Sequence, residues 1–482
     1  MNQNSSTSLI PDRGVRQATL VWSMITVVLF LLPVAFGLIM RLMQGNLVPD
    51  TNHQFYEYLT AHGLLMVGIW FTAALVLLTN ELTKYTKPST TLLVVSLVIT
   101  VVGTLMVLWA VFIGGMATSW YFLYPLPLRV GTEAGRTVFL LALGVLGVGW
   151  LVGCFNVMLA IGKKYSLSEA LGWHLISRTP GPEVPMLVLI ATVSLIGVIV
   201  CLLMAVILLL LYFVEIAGSV PNDALLMKNL TFVFGHTIAN MNLYLVIAVL
   251  YERFPRYGGG EFKNSRMLAL VWNSVLAIVM FAYFHHLYLD FVQPSAVQYV
   301  GQFASYGAGV AAATFTIYSV LAFVNTHRMN WNFSSLLLFV STAMWTIGGV
   351  AALIDATIPV NFKMHNTLWV PAHFHTYYFT GAATMLLAFM WTLACEASGS
   401  VERPWIKNVL LPMLLLGGSG FLVMFYLGGA SSIPRKYAAY PAELSVGTTY
   451  ARLSVAFISV FIVSYIVFSA VLLKKLYAGL RR

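Results

Sequence analysis

Long apolar segments alternate with short polar ones along the chain. Each apolar segment has about 20 residues or more, the length that an α-helix needs to cross the hydrocarbon core of a bilayer. We predict twelve spans, at 18–43, 55–80, 89–115, 137–162, 184–216, 228–252, 266–291, 301–326, 332–357, 367–395, 404–429 and 449–473. The first follows a polar tail of about 17 residues. It is too long for the apolar part of a signal peptide, so we expect it to be retained.

The composition agrees with this pattern. The chain is 60% hydrophobic and only 9% charged, whereas soluble domains carry about 25% charged residues. The apolar runs are unbroken and lack the short alternation of an outer-membrane barrel. A helix satisfies its own backbone hydrogen bonds in lipid. We therefore predict an all-α polytopic membrane protein in which residues 1–482 form one transmembrane domain.

Charge sets the expected orientation. The formal net charge is +10, but Lys and Arg are scattered through short loops with no basic run of five, so we expect no nucleic-acid partner. Most of the 26 Lys and Arg residues lie at the termini and in the alternate loops that share their side. The positive-inside rule then places both termini in the cytoplasm.

The three cysteines offer no redox motif. Cys154, Cys201 and Cys395 lie far apart in apolar segments and form no CxxC pair. We interpret them as inert core residues, because buried free cysteines usually behave as small hydrophobic groups. A thiolate copper centre or an iron–sulfur cluster is not indicated in this chain.

Histidines inside the predicted spans are the strongest functional signal. Ionisable residues are costly in the membrane and usually functional there. The predicted orientation puts six of them in the outer half of the membrane, namely His62, His236, His285, His286, His373 and His375. A single membrane histidine often only bonds across helices, but six at one depth favour a shared site. His174 and His327 fall in inner loops and His53 near the outer surface, and none of these three has an assigned role.

Helical geometry divides the six histidines between sites. His373 and His375 point about 200° apart on one helix, so they cannot share a metal but can serve two sites. His285 and His286 lie about 100° apart and can reach one metal only where the helix end faces a cavity. His236 would complete a three-nitrogen site there. Imidazole suits zinc, copper and iron, and two trans imidazoles suit a low-spin haem iron.

Six short motifs carry a family resemblance. They are LTAHG at 59–63, YPLP at 124–127, FGH at 234–236, FHH at 284–286, HNTLWVPAHFH at 365–375 and IPRK at 433–436. With them the chain resembles the catalytic subunit of the haem–copper oxidase superfamily across essentially all twelve spans. The last two motifs are most similar to the B-type branch.

The resemblance assigns cofactors to residues. It implies two haems, a low-spin haem that is b-type on His62 and His375 and a high-spin haem of b- or a-type on His373. It implies a non-haem metal, copper in oxidases, on His236, His285 and His286. It also implies that the haem propionates contact Arg435, Lys436, His365 and Asn366. An aspartate that the family places on the propionate side is not obvious, and Asn361 lies in that area.

One departure from the family bears on the reaction. In B-type oxidases a tyrosine, cross-linked to the histidine of span 6, lies four residues after it. Here that position is Asn240, on the same helix face as His236, and Thr237 replaces the usual proline. The C-type branch takes its tyrosine from span 7, but Tyr283 is only two residues before His285 and would point away.

This departure favours nitric oxide reduction, 2 NO + 2 e⁻ + 2 H⁺ → N₂O + H₂O, which needs two electrons and no tyrosyl radical. The better-known nitric oxide reductases carry a glutamate where Asn240 stands, so the chain resembles reductases that arose within the B-type branch. Asn240 would hydrogen-bond a ligand or weakly coordinate the metal. Copper is favoured at the non-haem site, and iron remains open. The alternatives are a terminal oxidase that reduces O₂ to water and, from another class, a non-catalytic haem-binding membrane protein.

The reaction also needs a supply of protons and electrons, for which we expect the following residues and partners. Tyr251 and Thr316, with neighbouring span 8 hydroxyls, would be the remnant of a cytoplasmic proton track, or ordinary polar contacts between helices. Glu215 at the outer end of span 5 would pass protons or simply be solvated. The resemblance implies a bacterial cytoplasmic membrane, a second subunit carrying a copper or haem c centre, and cytochrome c or a similar donor.

Overall fold

Twelve long helices dominate the computed structural model, which describes residues 12–49, 51–218 and 220–482. They are α1 (Arg13–Gln44), α2 (Asn52–Leu82), α3 (Thr90–Phe112), α4 (Glu133–Gly162), α5 (Met186–Ile216), α6 (Ala224–Gly258), α7 (Arg266–Leu287), α8 (Ala296–Thr326), α9 (Phe333–Asp355), α10 (Trp369–Ser398), α11 (Ile406–Ala430) and α12 (Ala442–Leu480). All twelve predicted spans are confirmed as helices long and apolar enough to cross a membrane. The largest boundary error is at α12, which is longer than predicted at both ends.

Polar caps begin many of these helices. The side chains of Thr51, Ser89 and Thr132 accept hydrogen bonds from backbone N–H groups in the first turns of α2, α3 and α4. Such caps satisfy donors that a helix start leaves free. The segment between α4 and α5 contains two short helices, Leu167–Ala170 and Trp173–Ser177.

Three helices form the centre of the bundle. In their most apolar stretches, α10 is 89% buried, α6 72% and α2 67%, whereas α3 and α8 are each 33% buried. The three buried helices carry His62, His236, His373 and His375. These four histidines therefore lie on the helices that are most enclosed by other helices, whereas His285 and His286 lie at the end of α7, which is 39% buried.

Candidate haem and metal site

One internal cavity collects nearly all the predicted site residues. It has a volume of about 580 Å³. Its lining includes His62, His236, Asn240, His285, His286, His365, Asn366, His373, His375, Arg435 and Lys436. Their spread over α2, α6, α7, α10 and two loops means that only the folded bundle brings them together.

His62 and His375 face each other across one end of the cavity. Their ring centroids are 6.1 Å apart and their planes differ by 23°. Two metal–nitrogen bonds of about 2 Å, with the distance from each nitrogen to its ring centre, give about 6 Å, so one iron fits between the rings. A Cβ on Gly37 would lie 3.0 Å from Cε1 of His62, so the glycine makes room for this ring.

Backbone carbonyls fix the tautomer of this pair. The Nδ1 atom of His62 lies 2.7 Å from the Pro33 oxygen, and that of His375 lies 2.7 Å from the Pro371 oxygen. A carbonyl oxygen only accepts, so each Nδ1 must carry the proton and donate it. The lone pair is then on Nε2, which is the arrangement that a metal-binding histidine needs.

His236, His285 and His286 form a compact nitrogen cluster. One ring nitrogen of each lies within 4.8 Å of the others. The adjacent pair sits on a 3₁₀ turn, Tyr283–Leu287, at the end of α7, where both rings can turn to the cavity. Nδ1 of His285 contacts the Ser305 hydroxyl at 3.0 Å, and Nδ1 of His236 is buried without a partner. An unpartnered buried nitrogen beside two others suits a metal ion.

Asn240 lies against His236 and lines the same cavity. Its side-chain Nδ2 donates to the His236 carbonyl oxygen at 2.9 Å and is 3.3 Å from His236 Nε2. The amide thus contacts a histidine of the three-histidine cluster directly, through the ring nitrogen opposite the free Nδ1. A role as a metal ligand stays a prediction.

The rings of the three clustered histidines also make aromatic contacts. The Phe232 ring stacks on His286 with centroids 4.7 Å apart. Among the described residues, the ring contacts of the three clustered histidines are with one another and with Phe232, and none is with a tyrosine. Tyr283 instead packs against Phe284 with its ring tilted by 33° and donates to Asn229, in accord with its expected direction away from the site.

His373 leaves α10 on another face from His375. It is 6% exposed, and its Nδ1 lies 3.5 Å from Oδ2 of Asp355, the last residue of α9. Sequence reasoning missed Asp355. The available signal was an acidic residue near the end of span 9, at the depth predicted for the six histidines. Asn361, which we considered in place of the missing aspartate, donates instead to the Asp355 carbonyl oxygen at 2.9 Å.

Two cations border the cavity from the loop before α12. Burial lowers the pKa of Arg435 to about 10 and that of Lys436 to about 8. Among the described residues neither lies within 4.0 Å of a carboxylate, and Arg435 Nε is buried without a partner. Burial and the nearby Arg435 charge lower the pKa of His365 to about 3. Unpaired cations in a cavity wall fit an anionic ligand such as a haem propionate.

The three predicted proton-transfer residues lie outside the cavity lining. Tyr251 donates to Ser319 at 3.1 Å, joining α6 to α8, while the hydroxyl of Thr316 is buried without a partner. Glu215 accepts from Tyr124 at 3.2 Å and from the Asn222 side chain at 2.7 Å. Their roles in proton transfer stay predictions.

Comparison with known proteins identifies the family. Residues 17–466 match the family model described as cytochrome c and quinol oxidase polypeptide I. Cytochrome c oxidase subunit 1 of Thermostichus vulcanus is 21% identical over 68% of this chain and 59% of its own length. The Thermus thermophilus protein of the same name is 22% identical over 92% of this chain and 80% of its own.

The fold agrees with the family match. A cryo-EM structure of a heme-copper terminal oxidase dimer superposes with a TM-score of 0.76 and 19% identity, covering 96% of this chain and 84% of the other. The chain belongs to the haem–copper oxidase subunit I family. The B-type branch and the nitric oxide reductase variant remain predictions.

Proposed function

We propose that this chain is the catalytic subunit of a membrane nitric oxide reductase of haem–copper type. The observation that carries the proposal is Asn240, which lies against His236 where the B-type oxidases place a tyrosine. An amide supplies neither the electron nor the proton that a tyrosine gives to O–O cleavage. Joining two NO molecules into N₂O takes two electrons and two protons and needs no such donor.

The histidines of the cavity would bind two haems and one non-haem metal. His62 and His375 would hold the low-spin haem, His373 the high-spin haem, and the three-histidine cluster a copper or iron ion. When bound, these groups would supply electrons and bind the gas. The chain would hold them at fixed separation, and catalysis would then rest on proximity and charge stabilisation.

Other side chains would bind and orient these groups. Arg435 and Lys436 would hold the propionates, with His365 and Asn366 beside them. Asn240 would orient His236 and contact the bound nitrogen oxide through the face of its amide that lines the cavity.

Reduction of O₂ to water is the second candidate, and a separate observation favours it. The relatives described above are named cytochrome c oxidases and the matching structure is a terminal oxidase. These names agree better with oxygen than with nitric oxide. At 19–22% identity they leave room for a change at one decisive position, which is why Asn240 carries more weight in our proposal.

Gas consumption by the purified enzyme separates the two candidates. With a reduced donor, NO consumption with N₂O formation should exceed O₂ consumption. Fast O₂ reduction with little NO turnover would instead identify an oxidase. Metal analysis tests the non-catalytic alternative, because we expect two haems and one non-haem metal per chain, and one haem without a metal would contradict both enzymes.

The proposal extends to partners and location. We expect a second subunit that carries a copper or haem c centre, a cytochrome c or similar donor, and a bacterial cytoplasmic membrane with both termini inside. Co-purification of a second polypeptide with a c-type haem or a thiolate copper spectrum would support this arrangement.

A further inference from the structure

Asp355 is a buried carboxylate that the proposed function does not use. Its side chain is 5% exposed and points to His373, with Oδ2 3.5 Å from Nδ1. Neither the Nδ1 atom of His373 nor the Oδ1 atom of Asp355 has a hydrogen-bond partner among the described residues. A buried carboxylate is costly unless something compensates it, so its place beside an unpartnered ring nitrogen needs an explanation.

The packing of α9 against α10 places Asp355 beside His373. At Gly348 a Cβ would lie 2.5 Å from the backbone nitrogen of Tyr377, so the two helices touch backbone to backbone there. The helices are consecutive spans and run antiparallel, and the short helix Ile358–Met364 lies in the connection between them. Two turns on from Gly348 is Asp355, and one turn back from Tyr377 is His373. The close contact therefore brings the carboxylate level with the imidazole.

Two further contacts hold the end of α9. Asn361 donates to the Asp355 carbonyl oxygen at 2.9 Å, and the Tyr288 hydroxyl donates to the Ala356 oxygen at 3.0 Å. Tyr288 follows the His285–His286 turn in the chain. The segment that carries the carboxylate is thus anchored to the same part of the structure as the metal cluster.

The carboxylate distinguishes His373 from the other histidines of the cavity. The Nδ1 atoms of His62 and His375 face neutral carbonyl groups, and that of His285 faces a hydroxyl. Among the described residues His373 is the cavity histidine with a carboxylate within 4.0 Å. A carboxylate that accepts from a ligand histidine fixes the tautomer and makes the other nitrogen a stronger donor to the metal.

We propose that Asp355 is a positioning residue that polarises His373 and thereby strengthens the bond of its Nε2 to the high-spin haem iron. A stronger anionic ligand set favours ferric over ferrous iron, so Asp355 lowers the reduction potential of this haem alone. The inference rests on the haem site of the proposed function and holds for either gas.

Resonance Raman spectroscopy of the reduced holoenzyme tests this inference, because the iron–histidine stretch of a five-coordinate haem reports that bond. In Asp355→Asn the stretch should move to lower frequency. The ferric preference should fall about tenfold, which is a rise of about 59 mV in the one-electron midpoint potential. Asp355→Glu keeps the carboxylate and should stay closer to the unaltered enzyme, and it covers the case in which Asp355→Asn fails to fold.

Glu57→Gln is the matched control. Glu57 also lies beside a histidine, with Oε1 3.1 Å from Nε2 of His53, but His53 is not in the cavity lining. Its removal should leave the iron–histidine stretch unchanged. An unchanged stretch and potential in Asp355→Asn, with the haem retained, would overturn the role of Asp355 alone. Absence of a five-coordinate haem in the unaltered enzyme would overturn the haem site as well.

Discussion

The side-chain amide of Asn240 lies 3.3 Å from Nε2 of His236, and His236 Nδ1 is left free. The free Nδ1 can bind a metal only when Nε2 carries the proton, so the side chain that contacts Nε2 bears on metal binding by this ring. Residue 240 lies one helical turn from His236 and makes that contact. We therefore expect a substitution at this position to alter the three-histidine cluster more than the fold.

Truncation of Asn240 should lower turnover with little effect on assembly. We expect Asn240→Ala to reduce NO consumption about tenfold or more, since partners of metal-ligating histidines are typically worth 10–100-fold. An NO electrode and haem quantification measure the two quantities. Thr326→Ala on α8 is the control, because the exposed Thr326 hydroxyl donates to the Ala322 oxygen outside the cavity. Equal NO rates in both variants would remove Asn240 from the mechanism.

Removal of single histidines should remove single haems. We expect His375→Ala to lose the low-spin haem signal and keep the high-spin one, and His373→Ala to do the reverse, because the two rings leave α10 on different faces. Optical and EPR spectra with haem quantification check this. His327→Ala should keep both haems, since that ring stacks on Phe323 outside the cavity. A high-spin signal that survives in His373→Ala would contradict the assignment.

Ser305 should contribute to metal affinity although it is not a ligand. Its hydroxyl lies 3.0 Å from His285 Nδ1 and also donates to the Gly301 oxygen at 2.6 Å. Ser305→Ala should weaken binding of the non-haem metal about tenfold, because the ring loses the group that orients it. Metal content after dialysis against a chelator measures this, with haem content as the internal reference. Ser459→Ala, on exposed α12 surface, should retain the metal.

The sequence predicted the spans and the convergence of the six histidines on one cavity, because long apolar runs and histidines within them can be recognised without the fold. Membrane helices can be recognised by their length and hydropathy. An imidazole in an apolar helix is energetically costly, so its presence there indicates a function. Helical angles also predicted that His373 and His375 would face different ways. For His285 and His286 we could state only a condition, that the helix end must face a cavity. The 3₁₀ turn that lets the two rings converge could not be predicted, because local sequence does not determine the end of a helix to within one turn.

The sequence was insufficient for contacts between helices that are distant in the chain. Asp355 resembles an ordinary helix-end acid until the close approach at Gly348 brings it to His373. Tyr251 and Ser319 meet only because α6 packs on α8. The distance within such a pair is set by how two helices pack, so the residue pattern along one helix cannot predict it.

Lys436 should give haem retention a pH dependence of defined sign. Burial lowers the pKa of Lys436 to about 8, and a bound propionate would raise that pKa by favouring the charged form. The charge is then present at neutral pH. Haem binding should weaken as pH rises above the haem-free pKa of about 8, and the charge is lost as pH passes the higher pKa of the haem-bound state. Haem transfer to an acceptor protein should therefore accelerate at alkaline pH. Lys436→Arg should flatten the profile, because arginine stays charged, and an equally steep profile in that variant would exclude Lys436 as the cause.

Gly348 should be needed for the contact between α9 and α10. A methyl group there would meet the Tyr377 backbone at 2.5 Å, where neither helix can give way easily, so Gly348→Ala should destabilise the protein by about 1–3 kcal/mol. It should also separate Asp355 from His373 and shift the iron–histidine stretch in the same direction as Asp355→Asn. Gly144→Ala is the control, since its Cβ would meet Leu209 at an ordinary 3.8 Å. Thermal unfolding in detergent and Raman spectra measure both effects. A stable Gly348→Ala variant with an unshifted stretch would show that the helix contact does not set the position of the carboxylate.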